Sequence, residues 1–176
     1  MLVRTESGNL RPIAIVEPHA DDAFLSLHTH IIGWVKKGCS ITIHTICGES
    51  KRMREAEEYA RSVGASWTGY RAEDTADLRG FTGNLGPMRG TQVILPLAIT
   101  HPTHAAVRRR LERKGAWYYV DQPYAITQSN SVILTELLNG MRVVSYAKPA
   151  ALKYRRAAIF KSQSKFFHFN PAGDLH

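Results

Sequence analysis

Apolar positions fall into short runs, several of them rich in β-branched residues, at 13–16, 40–45, 66–70, 93–99, 117–120 and 142–146, and these read as strands. Between them the pattern changes to helical spacing. Residues 51–63 are charged on one side and carry Met53, Ala56, Tyr59, Ala60 and Val63 on the other, with Gly64 as the stop. Further helices are predicted over 23–37, capped by Asp21 or Asp22 and ended by Gly38, over 104–114, and over 149–161. Residues 79–90 hold four glycines and a proline and read as a loop, a lid or a pocket wall. Strands that alternate with helices imply an α/β fold, a Rossmann-like three-layer sandwich around one mainly parallel sheet. No internal repeat interrupts it. The expectation is a single domain over 1–176, with 1–11 and 166–176 as terminal extensions.

Two of the predicted strands run into metal-binding residue types. Ile13-Ala14-Ile15-Val16 continues into Glu17-Pro18-His19-Ala20-Asp21-Asp22, and the run 93–99 leads to His101-Pro102-Thr103-His104. Imidazole from one strand end, with imidazole and carboxylate from another, makes the His/His/Asp set that holds zinc and leaves a position open for water. In a parallel sheet both clusters lie at carboxyl ends of strands and share one crevice. The bland reading of each cluster alone is a helix cap or a pair of surface histidines. Together they point to a metal hydrolase.

Composition narrows the partners. The chain has 176 residues, 44% hydrophobic, and a formal charge of +8 with pI near 9.7. Much of that charge lies late, in Arg108, Arg109, Arg110, Arg113, Lys114, Lys148, Lys153, Arg155, Arg156, Lys161 and Lys165. A basic surface suits a phosphorylated, carboxylated or nucleotide-linked ligand; nucleic acid is not favoured, because no recognition motif accompanies the charge. No run reaches the roughly 18 apolar residues of a membrane span, the N-terminus lacks an apolar signal core, and a cytoplasmic location is expected. Cys39 and Cys47 are too few for a disulfide framework and read as reduced thiols.

These motifs resemble the LmbE-like or PIG-L-type de-N-acetylases, zinc hydrolases that act on N-acetylglucosamine compounds. Pro18-His19-Ala20-Asp21-Asp22-Ala23 is similar to that family's Pro-His-Pro-Asp-Asp-Glu, and His101-Pro102-Thr103-His104 to its His-Pro-Asp-His. Gly48-Glu49 followed by Ser50 to Ala56 is similar to a Gly-Glu turn and a helix with Arg-x-x-Glu-Ala, and Lys161-Ser162-Gln163 to a closing Lys-Ser-Gln. The resemblance implies that His19, Asp22 and His104 bind one Zn²⁺ per chain, a set that iron(II) also accepts. It implies Asp21 as general base, a protonated His101 as stabiliser of the oxyanion, and Arg54 and Glu49 as substrate-binding residues. The expected substrate is an acetylated, anionic amino sugar.

Ala20, Ala23 and Thr103 depart from the family pattern, and Leu25 to His30 replaces its glycine-rich turn. The alternatives are a deacylase acting on a modified nucleotide or nucleic-acid base, and a binding protein of the same fold. Among the remaining residues, His28, His30 and His44 read as structural, Trp34, Trp67 and Trp117 as packing, and Cys47 as non-catalytic. Phe166 to Phe169 covers the sheet, meets a partner or flanks the pocket. Oligomeric state is not read.

Overall fold

The computed structural model describes residues 10–86, 88–98, 100–121 and 159–162, together with the backbone of 142–144. Its elements follow in the order β1 (Ile13–His19), α1 (Asp22–Lys36), β2 (Ile41–Cys47), α2 (Ser50–Val63), β3 (Ser66–Ala72), β4 (Gln92–Pro96), α3 (Pro102–Leu111), β5 (Trp117–Tyr119) and β6 (Arg142–Val144). The six strands form one sheet in the order β3-β2-β1-β4-β5-β6, and every pairing is parallel. This is the Rossmann order, with its switch point between β1 and β4.

The layers follow from the alternation of side chains along each strand. Ile13 and Ile15 of β1 join Ile41, Ile43 and Ile94 under α1 and α2, where Phe24, Leu27, Ile31, Tyr59 and Phe160 complete the core. Ala14 and Val16 face the opposite way, with Val93, Leu95 and Tyr118, under Ala106 and Val107 of α3 and under Leu78 and Phe81. Burying each large apolar side chain contributes about 1.5–3 kcal/mol. Both faces of β1 are therefore covered, as an all-parallel sheet requires.

Several boundaries differ from the sequence expectation. β1 runs three residues past Val16, through Pro18 to His19; its ladder with β4 ends at Ile15, so Pro18 lies beyond that pairing. α3 begins at Pro102, a first-turn position that needs no N–H donor, and ends at Leu111. α2 ends as expected at Gly64, whose φ of 78° is the left-handed geometry that glycine adopts without strain. Asp21 stands at the N-cap of α1 without a side-chain capping bond; instead Glu17 Oε2 accepts the N–H of Ala23 at 2.9 Å. The cap comes from the preceding strand. Strand β6 is present, whereas 145–146, the predicted helix over 149–158, Gln163, the aromatic residues 166–169 and positions 1–9 lie outside the described residues. Of the predicted helix's last residues, Ile159 is in a turn and Lys161 in a 3-10 turn of helix, so no α-helix covers 159–161. Among the described residues no helix is long and apolar enough to cross a membrane.

Candidate metal centre

His19 ends β1, Asp22 opens α1 and His104 lies in the first turn of α3, all at the carboxyl edge of the sheet beside its switch point. His19 Nδ1 stands 3.1 Å from His104 Nε2, and Asp22 Oδ2 stands 3.3 Å from His104 Nε2 and 3.6 Å from His19 Nδ1. A tetrahedral zinc with bonds of about 2.0–2.2 Å has ligand-to-ligand edges of about 3.3–3.6 Å. Three donor atoms buried at these separations fit the corners of one metal ion. His101 adds a ring nitrogen within 4.8 Å of those of His19 and His104, so two triads are available. The triad with Asp22 has edges of 3.1–3.6 Å and carries negative charge toward a dication, which makes it the better fit. His101 then borders the open side.

The outer contacts follow a regular plan. The second nitrogen of each candidate ligand histidine faces a carboxylate: His19 Nε2 lies 3.0 Å from Asp74 Oδ1, and His104 Nδ1 lies 3.6 Å from Asp121 Oδ2. Such carboxylate–imidazole pairs fix the tautomer and ring plane of metal-binding histidines. Asp74 follows β3 and is held by a 2.7 Å hydrogen bond donated by Thr103, while Asp121 ends the run that begins with β5. Neither aspartate was picked out from the sequence. The strand-end rule that found His19 applies equally to Asp121, whereas Asp74 sits in an irregular segment with no such signal.

Charge coupling within the cluster is strong. Burial lowers the pKa of His19, but its hydrogen bond to Asp22 and the charges of Asp22 and Asp74 outweigh that and raise it to about 9. His104 also moves up, with Asp22 overriding burial, and Asp22 itself moves down, because the charge of His104 and the bond from His19 outweigh its desolvation. His101 moves down through burial and the repulsion of His104 and His19. The shift favours the neutral ring rather than the protonated one expected from the sequence. Asp21 moves up through burial and the charge of Asp22, opposed by Arg52.

The expected substrate residues divide differently. Arg52 Nη2 reaches Asp21 Oδ1 at 3.4 Å, beside the cluster. Arg54 is exposed and its Nε donates to the carbonyl of Ser50 at 3.3 Å. Of the two arginines it is Arg52, not Arg54, that lies beside the cluster, and Arg52 also occupies the arginine position of Arg-x-x-Glu-Ala, three before Glu55 and four before Ala56. Glu49 is exposed at the N-cap of α2, at the same edge of the sheet. Cys47 is buried, with its thiol pushed up to about 12 by burial and the charges of Asp74 and Asp22, so it is inert. His28 is a core residue bonded to Tyr59 Oη at 3.0 Å, and His44 is bonded to Tyr70 Oη at 2.9 Å.

Fold and site together define an α/β protein with a candidate metal-binding cluster at the switch point of a parallel sheet. By sequence the chain matches no protein-family model and no curated protein. Its fold matches solved structures of deacetylases. The zinc-inhibited form of teicoplanin deacetylase Orf2 is similar over 91% of this chain and 87% of that one, with a TM-score of 0.64 and 14% identity. The A40926 pseudoaglycone deacetylase Dbv21 is similar over 67% of this chain and 66% of its own, with 0.53 and 22%. The N,N'-diacetylchitobiose deacetylase of Pyrococcus horikoshii is similar over 87% and 70%, with 0.52 and 18%. At these identities the likeness is one of fold, and that fold is the one expected from the resemblance to the LmbE-like and PIG-L-type enzymes.

Proposed function

We propose that the protein is a zinc-dependent hydrolase that removes an N-acetyl group from an amino-sugar substrate. The observation that carries this reading is the trio His19, Asp22 and His104, with edges of 3.1–3.6 Å, beside a carboxylate, Asp21, that is not part of it. The fold's neighbours, deacetylases of the teicoplanin pathway and of N,N'-diacetylchitobiose, support the amide of an amino sugar as the bond. Zinc, when bound, supplies a Lewis acid for the amide carbonyl and acidifies water.

The chain supplies the rest. Asp21, its basicity raised by burial and by Asp22, takes the proton of the attacking water and delivers it to the departing amine. Arg52 orients that carboxylate from α2. His101 donates a ring N–H to the oxygen on which negative charge develops. The +8 charge draws anionic substrates to the surface and favours phosphorylated sugars over neutral ones. Of the arginine run in α3, however, Arg108 and Arg110 are engaged with backbone carbonyls at Leu97, Asp77 and Phe81, which leaves the general field rather than that run to do so.

The test is release of acetate and free amine from neutral and phosphorylated N-acetylglucosamine compounds by the zinc-loaded chain, with Asp21→Asn alongside. Release by the parent, reduced about 10²–10⁴-fold in the variant at unchanged zinc content, is the expected result. Turnover that survives in Asp21→Asn, or zinc lost with it, overturns the division of roles.

A further inference from the structure

We propose that Thr103 and Asp74 act as a positioning pair for His19, with Asp74 reaching the metal centre from outside the sheet and Thr103 fixing it there. This rests on the metal site of the preceding reading and adds two residues to it.

Asp74 is an unusual choice for the task. Its side chain is 50% exposed and stands on the irregular segment after β3. A carboxylate so placed is ordinarily hydrated and free to turn. Here one oxygen, Oδ1, accepts a hydrogen bond from the Thr103 hydroxyl at 2.7 Å and lies 3.0 Å from His19 Nε2, a buried nitrogen with no other partner among the described residues. Thr103 is 3% exposed and immediately precedes His104, so the residue that aims Asp74 is built into the turn that carries another candidate ligand.

The segment itself is fastened to the same helix. Arg110 donates to the carbonyls of Phe81 at 2.9 Å and Asp77 at 2.8 Å, and Leu78 and Phe81 are buried beneath it. The consequence for His19 is directional. An acceptor at Nε2 keeps the proton on that nitrogen and turns Nδ1, with its lone pair, toward His104 Nε2 and Asp22 Oδ2. His104 receives the same treatment from Asp121, a fully buried group fixed by the fold. The His19 side depends instead on a hydrogen bond from a threonine.

The experiment measures zinc affinity of the full chain by competition with a chromophoric chelator, for the parent, Asp74→Asn, Thr103→Val, Thr103→Ser and the Asp74→Asn/Thr103→Val double variant. Melting of each metal-free form is recorded beside it. Asp74→Asn is expected to bind zinc about 10–100-fold more weakly. Thr103→Val weakens binding in the same direction, Thr103→Ser restores it, and the double variant is no weaker than Asp74→Asn, because Thr103 acts through Asp74. Metal-free melting stays at the parent value in the Asp74→Asn and Thr103→Ser forms, and the absorption bands of the cobalt(II)-loaded Asp74→Asn protein shift. Parental zinc affinity in Asp74→Asn or in Thr103→Val, or losses that add in the double variant, overturn the proposal. Because affinity is read without turnover, a parent that binds zinc but releases no acetate rejects the proposed reaction and leaves this result standing.

Discussion

Glu17 places a carboxyl group inside the core, in the middle of β1. Burial pushes its pKa up to about 8, against the hydrogen bonds from Thr45 and Ala23 and helped by the charges of Asp22 and Asp21. Thr45 donates to one oxygen at 2.6 Å and Ala23 N–H to the other at 2.9 Å, while Trp67 Nε1 holds Thr45 at 2.8 Å. From the ordinary value of 4.5 up to about 8, the folded chain keeps a proton that the unfolded chain has lost. Its stabilising effect is complete below the lower value and disappears as pH rises through the upper one. Glu17→Gln keeps the shape and removes the titration. In chelator-treated protein it is expected to melt above the parent near pH 9, with the difference closing toward about pH 5. A pH-independent difference between the two would contradict this. The sequence offered no sign of this residue's work, because a glutamate in a strand-like run looks the same whether it points to water or to a helix N-terminus.

At the scale of elements, the segment after β3 is the informative one. Its glycines mark a loop, and the structure packs the first part of that loop onto the core. Leu78 and Phe81 are buried against Val16, Leu95 and Val107, and Arg110 spans from α3 to two of its carbonyls. Arg110→Ala removes both bonds and is expected to cost about 1–3 kcal/mol and to raise hydrogen exchange at the amides of Leu78 and Phe81, leaving those of β1 as they were. Arg110→Lys fails to restore protection, because an ammonium lacks the planar fork that meets two carbonyls at once. Unchanged exchange in Arg110→Ala would make this packing independent of α3.

The regular elements were largely legible because periodicity reports which side chains face inward. The proximity of His19, Asp22 and His104 was legible because His19 ends a strand and the other two follow strands at the same edge of the sheet. Asp74 was not, since its approach to His19 depends on the course of a loop that no period encodes. The motif Arg-x-x-Glu-Ala fits Arg52 by its spacing, whereas the expectation fell on Arg54, two positions on.

For the whole molecule, the strand order β3-β2-β1-β4-β5-β6 gathers one centre from segments far apart in the chain: β1 and α1, the segment after β3, the start of α3, and the end of the β5 run. The unfolded chain has no such centre, so zinc binds the folded form and stabilises it by about 2.7 kcal/mol at a free concentration of 100 Kd. The same linkage carries a pH dependence. Metal binding needs His19 neutral, yet in the metal-free protein Asp22 and Asp74 overcome burial and hold its pKa at about 9. Zinc therefore displaces a proton below that value, and its affinity rises by up to about tenfold per unit as pH climbs toward it. The expected outcome is a zinc-induced rise in melting temperature, reversed by chelator, that is larger at about pH 8 than at about pH 6 and is accompanied by release of a proton in weakly buffered calorimetry. In Asp74→Asn the pH slope is shallower, since one of the charges that hold the proton on His19 is gone. A zinc effect that ignores pH across this range would place the metal on groups other than His19.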